Sequence, residues 1–512
     1  MNERVIGIDL GIKFKHRASI WDSSAKNFLG KSFKVDRTHD DFEILVKRSE
    51  KNAQPNTRFV FVLEPTSMAW LPLSCFLIAK GHTVYLVNPQ QVAALRKFFG
   101  KNKSDRLDSE TLAKIYLIKP ESLHSLYLPK AKIKSMDRFC RQRAKLIKNV
   151  SSIKRRLWHY FTFVNPKALE TFKDDKFTQL GRAFFRNLIS PFKIVALGLD
   201  GLTEFLTQNC RGTLNPEIPR KLYEASRSTV QIYQGYRDNH GLPFDWDDIQ
   251  LEINIELDIL ELYEQKIDLL DKKINELYLQ VDPGKQLQSI TGIGDVIAPI
   301  IFAVVADINR FPSVRSFKGM LRFHPKKKQT TNQDKKGLRI AKSSFWLLKQ
   351  SFYMAAETAR KWDVEMAAFY ERLINHGFHH EQAICAIANK LAGRVYAVMK
   401  RMANNDVDPK EVSYQFRDLQ GNIITRKQAK EIIDNNFPGV YEKRKRLKQK
   451  QQTEPTRKRE PNHKPNEFKE QINGLNDLER ARKTQAMGEL LKELIPQYFE
   501  RIKLRITSNC NR

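Results

Sequence analysis

Asp105 and Asp108 stand three residues apart in KNKSDRLDSETLAKI (101–115), between a lysine-rich approach and an apolar helical pattern. On a helix, positions i and i+3 share a face, so both carboxylates aim at one spot. Taken alone, such a pair is a solvated face or favourable negative charge in a first helical turn. Two further acids change that reading. Asp9 ends the apolar run RVIGID and is followed by Gly11; Glu64 ends FVFVL and is followed by Pro65. A charge at the end of a buried strand is costly unless it is paired or metal-bound. Four acids from two strand ends and one helix, in a basic chain, form an oxygen donor set for a hard cation. Two magnesium ions about 4 Å apart would clamp the attacking and leaving oxygens of a phosphodiester. Lys101, Lys103 and Arg106 would hold the phosphate backbone, which positive charge attracts whatever its sequence.

The elements that must position these acids are legible from hydrophobic period. RVIGIDL (4–10) reads as a buried strand with RASIWD (17–22) as its hairpin partner; RFVFVLE (58–64) and HTVYLV (82–87) are further strands. MAWLPLSCFLIAKG is helical up to Gly81, NPQQVAALRKFFG is a short helix, and SDRLDSETLAKIYLI is another. Alternating strands and helices over 1–125 predict an α/β domain with a mixed sheet.

Beyond it, 131–165 predicts a basic helix: Arg138, Arg141, Arg155 and Arg156 are among many cations set against Asp137 alone, and Leu146, Val150, Ile153, Leu157 and Phe161 form its apolar stripe. Its aromatic end, Trp158 to Phe161, is read as core packing rather than base stacking. Residues 166–250 read as irregular, with mixed short helices. Leu260, Tyr263, Ile267, Leu270, Ile274 and Leu277 make a heptad seam within 251–280 that either forms a short coiled coil or packs inside the chain, and VDPG (281–284) stops it. Residues 286–404 form a second, mostly helical domain containing a basic loop with Lys326, Lys327, Lys328 and Lys342. TGIG (291–294) is a helix-opening turn whose free backbone N–H groups are also open to a phosphate. His376, His379 and His380 lack zinc-site spacing and are turn and helix-start residues. From 405 the chain becomes a basic, partly disordered extension: 441–469 carries eleven Lys/Arg against four Glu, and a helix over LERARKTQAMGELLKELIPQYF follows.

The 512 residues are too many for one ordinary core. A formal net charge of +31 requires a polyanionic partner, with nucleic acid ahead of a membrane surface or a packing role in a ribosome or chromatin. Five scattered cysteines without a CxxC pair argue against a disulfide framework or zinc finger, and with no secretory h-region at MNERVIGIDLG the expectation is a soluble cytoplasmic protein, associated with a bacterial or archaeal nucleoid.

In order and spacing, GIDLG, VLEPT, VNPQQV and KSDRLDSETLAKI resemble the RuvC-like DEDD domain of a family of insertion-sequence transposases whose known members are bridge-RNA-guided DNA recombinases. The resemblance covers about 4–117, 133–165 and 286–400. It implies an RNase H-like (RuvC-like) α/β domain, a helical or coiled-coil middle region (126–285) and a mostly helical C-terminal transposase domain. It assigns Asp9, Glu64, Asp105 and Asp108 to the DEDD positions, with Mg2+ as cofactor. DNA, a guide RNA and further copies of the chain, as dimer and tetramer, are the implied partners. The family's C-terminal domain carries a nucleophilic serine; here the residues are Gln329, Thr330, Thr331 and Asn332, so the resemblance puts Thr330 at that position, with Thr331 an off-register option and Ser343 and Ser344 as spare hydroxyls. A threonine hydroxyl can form a covalent phosphoester, though its methyl crowds an in-line attack. The function implied is cutting and rejoining of DNA. The alternatives are a metal-dependent RNase H-like nuclease using water, and a catalytically impaired nucleic-acid-binding relic.

Overall fold

The computed structural model describes residues 2–99, 105–172, 177–324, 329–330, 333–334, 340, 345–404 and 409–441. The N-terminal part is built on β1 (Glu3–Asp9), β2 (His16–Asp22), β3 (Asn27–Phe28), β4 (Phe33–Val35), α1 (His39–Glu50), β5 (Arg58–Leu63), α2 (Trp70–Ala79), β6 (Thr83–Leu86), α3 (Pro89–Phe99) and α4 (Asp105–Ile118). The sheet order is β3-β2-β1-β5-β6, with β4 also on β2. β2 runs antiparallel to β1, whereas β5 is parallel to β1 and β6 to β5. This is the mixed sheet expected. β3, β4 and α1 were not foreseen: the strands are two and three residues long, too short for alternation to register.

Helices cover both faces of the sheet, which is why β1 and β5 read as unbroken apolar runs. On one face Ile6, Ile8, Leu10, Phe61 and Leu63 pack with Phe42, Leu45 and Val46 of α1 and Leu73 and Leu77 of α2. On the other, Val5, Val60 and Val62 pack with Leu112, Ala113, Ile115 and Tyr116 of α4.

Two 34-residue helices follow, α5 (Ala131–Val164) and, after α6 (Ala168–Thr171), α7 (Gln179–Asn187), α8 (Pro191–Asn209) and α9 (Glu217–His240), α10 (Trp246–Leu279). At 1.5 Å per residue each is about 50 Å long. Arg143 bonds Asp271, Lys154 faces Glu264 and Arg156 bonds Glu256, so rising numbers on α5 meet falling numbers on α10 and the pair is antiparallel. The heptad seam is therefore used inside the chain, with Leu260, Ile274 and Leu277 buried. Residues 166–250 are not irregular. Their described residues are mostly helical, around a core of Phe161, Phe172, Phe184, Phe185, Leu202, Leu206 and Leu222. The proline and glycine that made them look broken are boundary devices: Pro191 opens α8, Gly198 (φ 78°) kinks it, and Gly241 (φ 73°) ends α9. The stop after α10 is Asp282, fully buried, which accepts from the Tyr278 hydroxyl at 2.5 Å and from the Gln286 and Leu287 N–H groups.

The C-terminal part comprises α11 (Ile297–Val305), α12 (Val314–Leu321), the hairpin β7 (Gln329–Thr330) and β8 (Gln333–Asp334), α13 (Trp346–Trp362), α14 (Val364–Asn375), α15 (His380–Met402), α16 (Pro409–Val412) and α17 (Arg426–Asn436). The chain divides into two compact units, Met1–Thr358 with Ala388–Phe416, and Ala359–Ile387 with the described residues from Arg417 on. Beyond 405, α17 is opened by a capping box between Thr425 and Gln428. The predicted basic linker and final helix lie outside the described residues. Among the described residues no helix is long and apolar enough to cross a membrane, and Cys75, Cys140, Cys210 and Cys385 are free thiols.

Candidate active site

Asp9 is the last residue of β1, and Glu64 follows the last residue of β5. The two strands pair in parallel with Ile8 opposite Leu63, so Asp9 and Glu64 are the next positions along neighbouring strands. Side chains alternate between faces with period two. Val5 and Gly7 put Asp9 on the α4 face, and Val60 and Val62 put Glu64 there too.

α4 runs antiparallel to β1. Tyr116, near its end, donates its hydroxyl to Glu3 Oε1 at 3.0 Å, at the start of β1; burial and that contact push the phenol pKa up to about 12. Midway, Gly7 lies against the helix backbone: a Cβ there would sit 2.0 Å from Ser109 O and 2.7 Å from Ala113 N. The Ser109 and Ser19 hydroxyls, both buried, share a hydrogen bond of 2.7 Å, tying α4 to β2 beside Gly7. Continued in the same direction, the first turn of α4, Asp105 to Asp108, arrives at the Asp9 end of the sheet. Asp108 is 4 % exposed. Sequence reasoning missed Gly7, Ser19 and Ser109, although a glycine inside an apolar strand is itself a signal of close backbone approach.

Asp9, Glu64 and Asp108, at this end of the sheet, are carboxylates, the donor chemistry a hard divalent cation takes. Among the described residues no three His, Cys, Asp or Glu side chains stand close enough to hold a metal ion; Asp105 begins α4 but its side chain is not among those described. The neighbourhood is otherwise basic. Arg17 pairs with Asp9 across the ladder. His16, buried, accepts from the Gly11 N–H through Nδ1 at 3.2 Å; desolvation and then Arg37 hold its pKa below the ordinary histidine value.

The expected nucleic-acid contacts divide. Arg106 is committed to Glu110 at 2.9 Å, and Arg141 to Asp137 at 2.8 Å. Arg156 holds Glu256 with both nitrogens at 2.7 Å. Arg138 and Arg155, both exposed, donate to the Ser135 hydroxyl and the Ser151 carbonyl of their own helix. Lys101, Lys103, Lys326, Lys327, Lys328 and Lys342 lie outside the described residues. Thr330 falls in β7, paired with Gln333; Thr331, Ser343 and Ser344 are outside the described residues. In TGIG, Gly292 (φ 89°) is required because a Cβ would meet the Ala355 carbonyl oxygen at 2.2 Å, and the first amides of α11, Ile297 and Ala298, both donate to Gly294 O. Packing accounts for that motif without a phosphate. His376 caps α14 through the Arg372 carbonyl and His380 opens α15 bonded to Tyr370, as turn and helix-start residues.

Residues 6–166 match the DEDD transposase family of IS110 elements, whose members are described as transposases. The class is thus a DEDD transposase, and the match spans the sheet, α4 and α5. Residues 284–371 match the transposase IS116/IS110/IS902 family. The chain is also 21 % identical, over 400 residues, to an uncharacterized 44.8 kDa protein of insertion element IS116 from Streptomyces clavuligerus, an alignment covering 77 % of this chain and 94 % of that one. With both regions present in order, the chain belongs to the IS110 family of DEDD transposases. DNA is the partner that membership implies, and a divalent metal its general requirement.

Proposed function

We propose that this chain is the RNA-guided recombinase of an insertion sequence, cutting and rejoining DNA through an RNase H-like carboxylate site and a threonine hydroxyl. The observation that carries the reading is the strand register: two acids at the ends of adjacent parallel strands, on the one sheet face that the Asp105–Asp108 helix covers.

Asp9, Glu64, Asp105 and Asp108 would hold Mg2+. A divalent ion there supplies Lewis-acid stabilisation of a phosphodiester. The rest is the work of the chain. Arg138 and Arg155 on α5, with the lysines around 101–103 and 326–328, hold the strand by its phosphates. The Thr330 oxygen attacks phosphorus as its proton leaves to solvent or a carboxylate. A phosphoester to the protein forms, and the departing sugar oxygen takes up a proton. Attack by the hydroxyl of a second strand reverses the step, so no external energy source is needed. Guide RNA and the pairing of protomers rest on the resemblance to bridge-RNA-guided recombinases.

Covalent capture tests this. Full-length protein incubated with supercoiled DNA, the element's flanking transcript and Mg2+ should give a protein–DNA adduct that survives denaturation. Thr330→Ala should abolish it and Thr331→Ala should not. Metal-dependent cleavage without adduct would replace this reading with a water-using nuclease, and tight binding with neither would leave a nucleic-acid-binding relic.

A further inference from the structure

The turn between β1 and β2 begins one residue after Asp9 and is built to present an aromatic ring to solvent. Phe14 is 79 % exposed at its tip, with Lys13 and Lys15 on either side, both exposed. Scattered surface apolar residues are ordinary; this one stands on a turn held from several directions. Gly11 allows a close fold-back, since a Cβ there would lie 2.3 Å from Phe14 O and 2.9 Å from Lys15 O. The Gly11 N–H is fixed on buried His16. The Arg37 guanidinium donates to the Ile12 carbonyl, and Lys15 pairs with Asp36 at 2.9 Å. The backbone that carries the ring is held at the surface.

Its distance from the carboxylates is bounded by the ladder. Asp9 pairs with Arg17, three residues from Phe14. Pairing of about 5 Å plus three residues at up to about 3.5 Å each keeps the Phe14 backbone within about 16 Å of Asp9. That is about five steps of a nucleic-acid strand.

We propose that Phe14 is a stacking platform for an unpaired base of the DNA strand whose phosphate lies at the Asp9 end of the sheet. An exposed ring on a held turn, beside cations, is the combination that binds single strands: every base has a face to stack, and Lys13 is placed to meet the phosphates while Lys15 is engaged with Asp36. Phe14 would thereby position the strand, without touching the reacting atoms. The inference rests on the proposed DNA-processing role of the carboxylate site.

The test uses the full-length protein and three probes of one mixed sequence, about 20 nucleotides long and labelled with 2-aminopurine: single-stranded DNA, its duplex, and single-stranded RNA. Phe14→Ala and Phe14→Leu should each weaken single-stranded DNA binding about ten-fold and relieve probe quenching, with duplex binding unchanged. Phe14→Trp should bind as wild type does. Because the ring is exposed, melting temperatures should not move. Wild-type affinity in Phe14→Leu, equal losses on single strand and duplex, or a loss confined to RNA would each overturn the proposal. So would a change in sedimentation with unchanged DNA binding, which would make Phe14 a protein contact. If the wild type bound none of the probes, the functional reading itself would fail; if it bound and cleaved DNA while the Phe14 variants matched it, only this inference would.

Discussion

Gly7 decides how closely α4 approaches β1. The absent side chain lets the backbone of α4 lie directly on β1, and the Ser19–Ser109 hydrogen bond holds the same spot. Gly7→Ala would drive a methyl into Ser109 O and Ala113 N, both backbone atoms that cannot rotate away. The expected cost is about 1–3 kcal/mol or more in urea denaturation, with any metal-dependent cleavage falling further than the fraction of folded protein does. Unchanged stability would mean that α4 does not rest on β1. The acids themselves were visible in the sequence because a carboxylate at the end of an apolar run is a conspicuous expense. Gly7 was visible in type only: its partner is a helix backbone about a hundred residues later, and nothing local names it. The proposed hydroxyl nucleophile is the reverse case. Thr330 comes from resemblance and position in a loop, and the hairpin backbone of β7 and β8 adds no chemical identity.

Among the elements, α5 carries the same lesson in charge. Its surplus of cations was plain, and so was its apolar stripe. What stayed hidden was that α10, antiparallel to it, supplies Asp271, Glu264 and Glu256 as partners. Pairing between helices a hundred residues apart leaves no trace in either helix alone. The surface of α5 is therefore divided into cations engaged within the fold and cations turned outward. Arg156 belongs to the first group, and its hydrogen bond to Glu256 raises its pKa. Because the pair is half-exposed, Arg156→Ala should cost below about 1 kcal/mol in thermal melts. It should weaken DNA binding less than Arg138→Ala does, in titrations at one salt concentration. A larger loss from Arg156→Ala would show that DNA displaces Glu256. The helices over 166–250 were obscured for a different reason: proline and glycine at their ends looked like breaks through the whole segment, while the Phe161–Phe172–Phe184–Phe185 cluster joins α5 to the segment around α6 and α7 without any helical period to announce it.

For the whole molecule, a net charge of +31 and two family regions in one chain agree on a polyanion as partner. Charge alone could not separate a transposase from a packing protein; the two family matches do. If the carboxylates at the Asp9 end of the sheet form the proposed site, a divalent cation is the ligand they would bind. The direct measurement is Mn2+ binding to the full-length protein, followed by electron paramagnetic resonance, for wild type, Asp9→Asn and Asp108→Asn. The account predicts saturable binding by the wild type, weakened at least about ten-fold in each variant as a charged ligand is lost. Identical isotherms for all three proteins would contradict it.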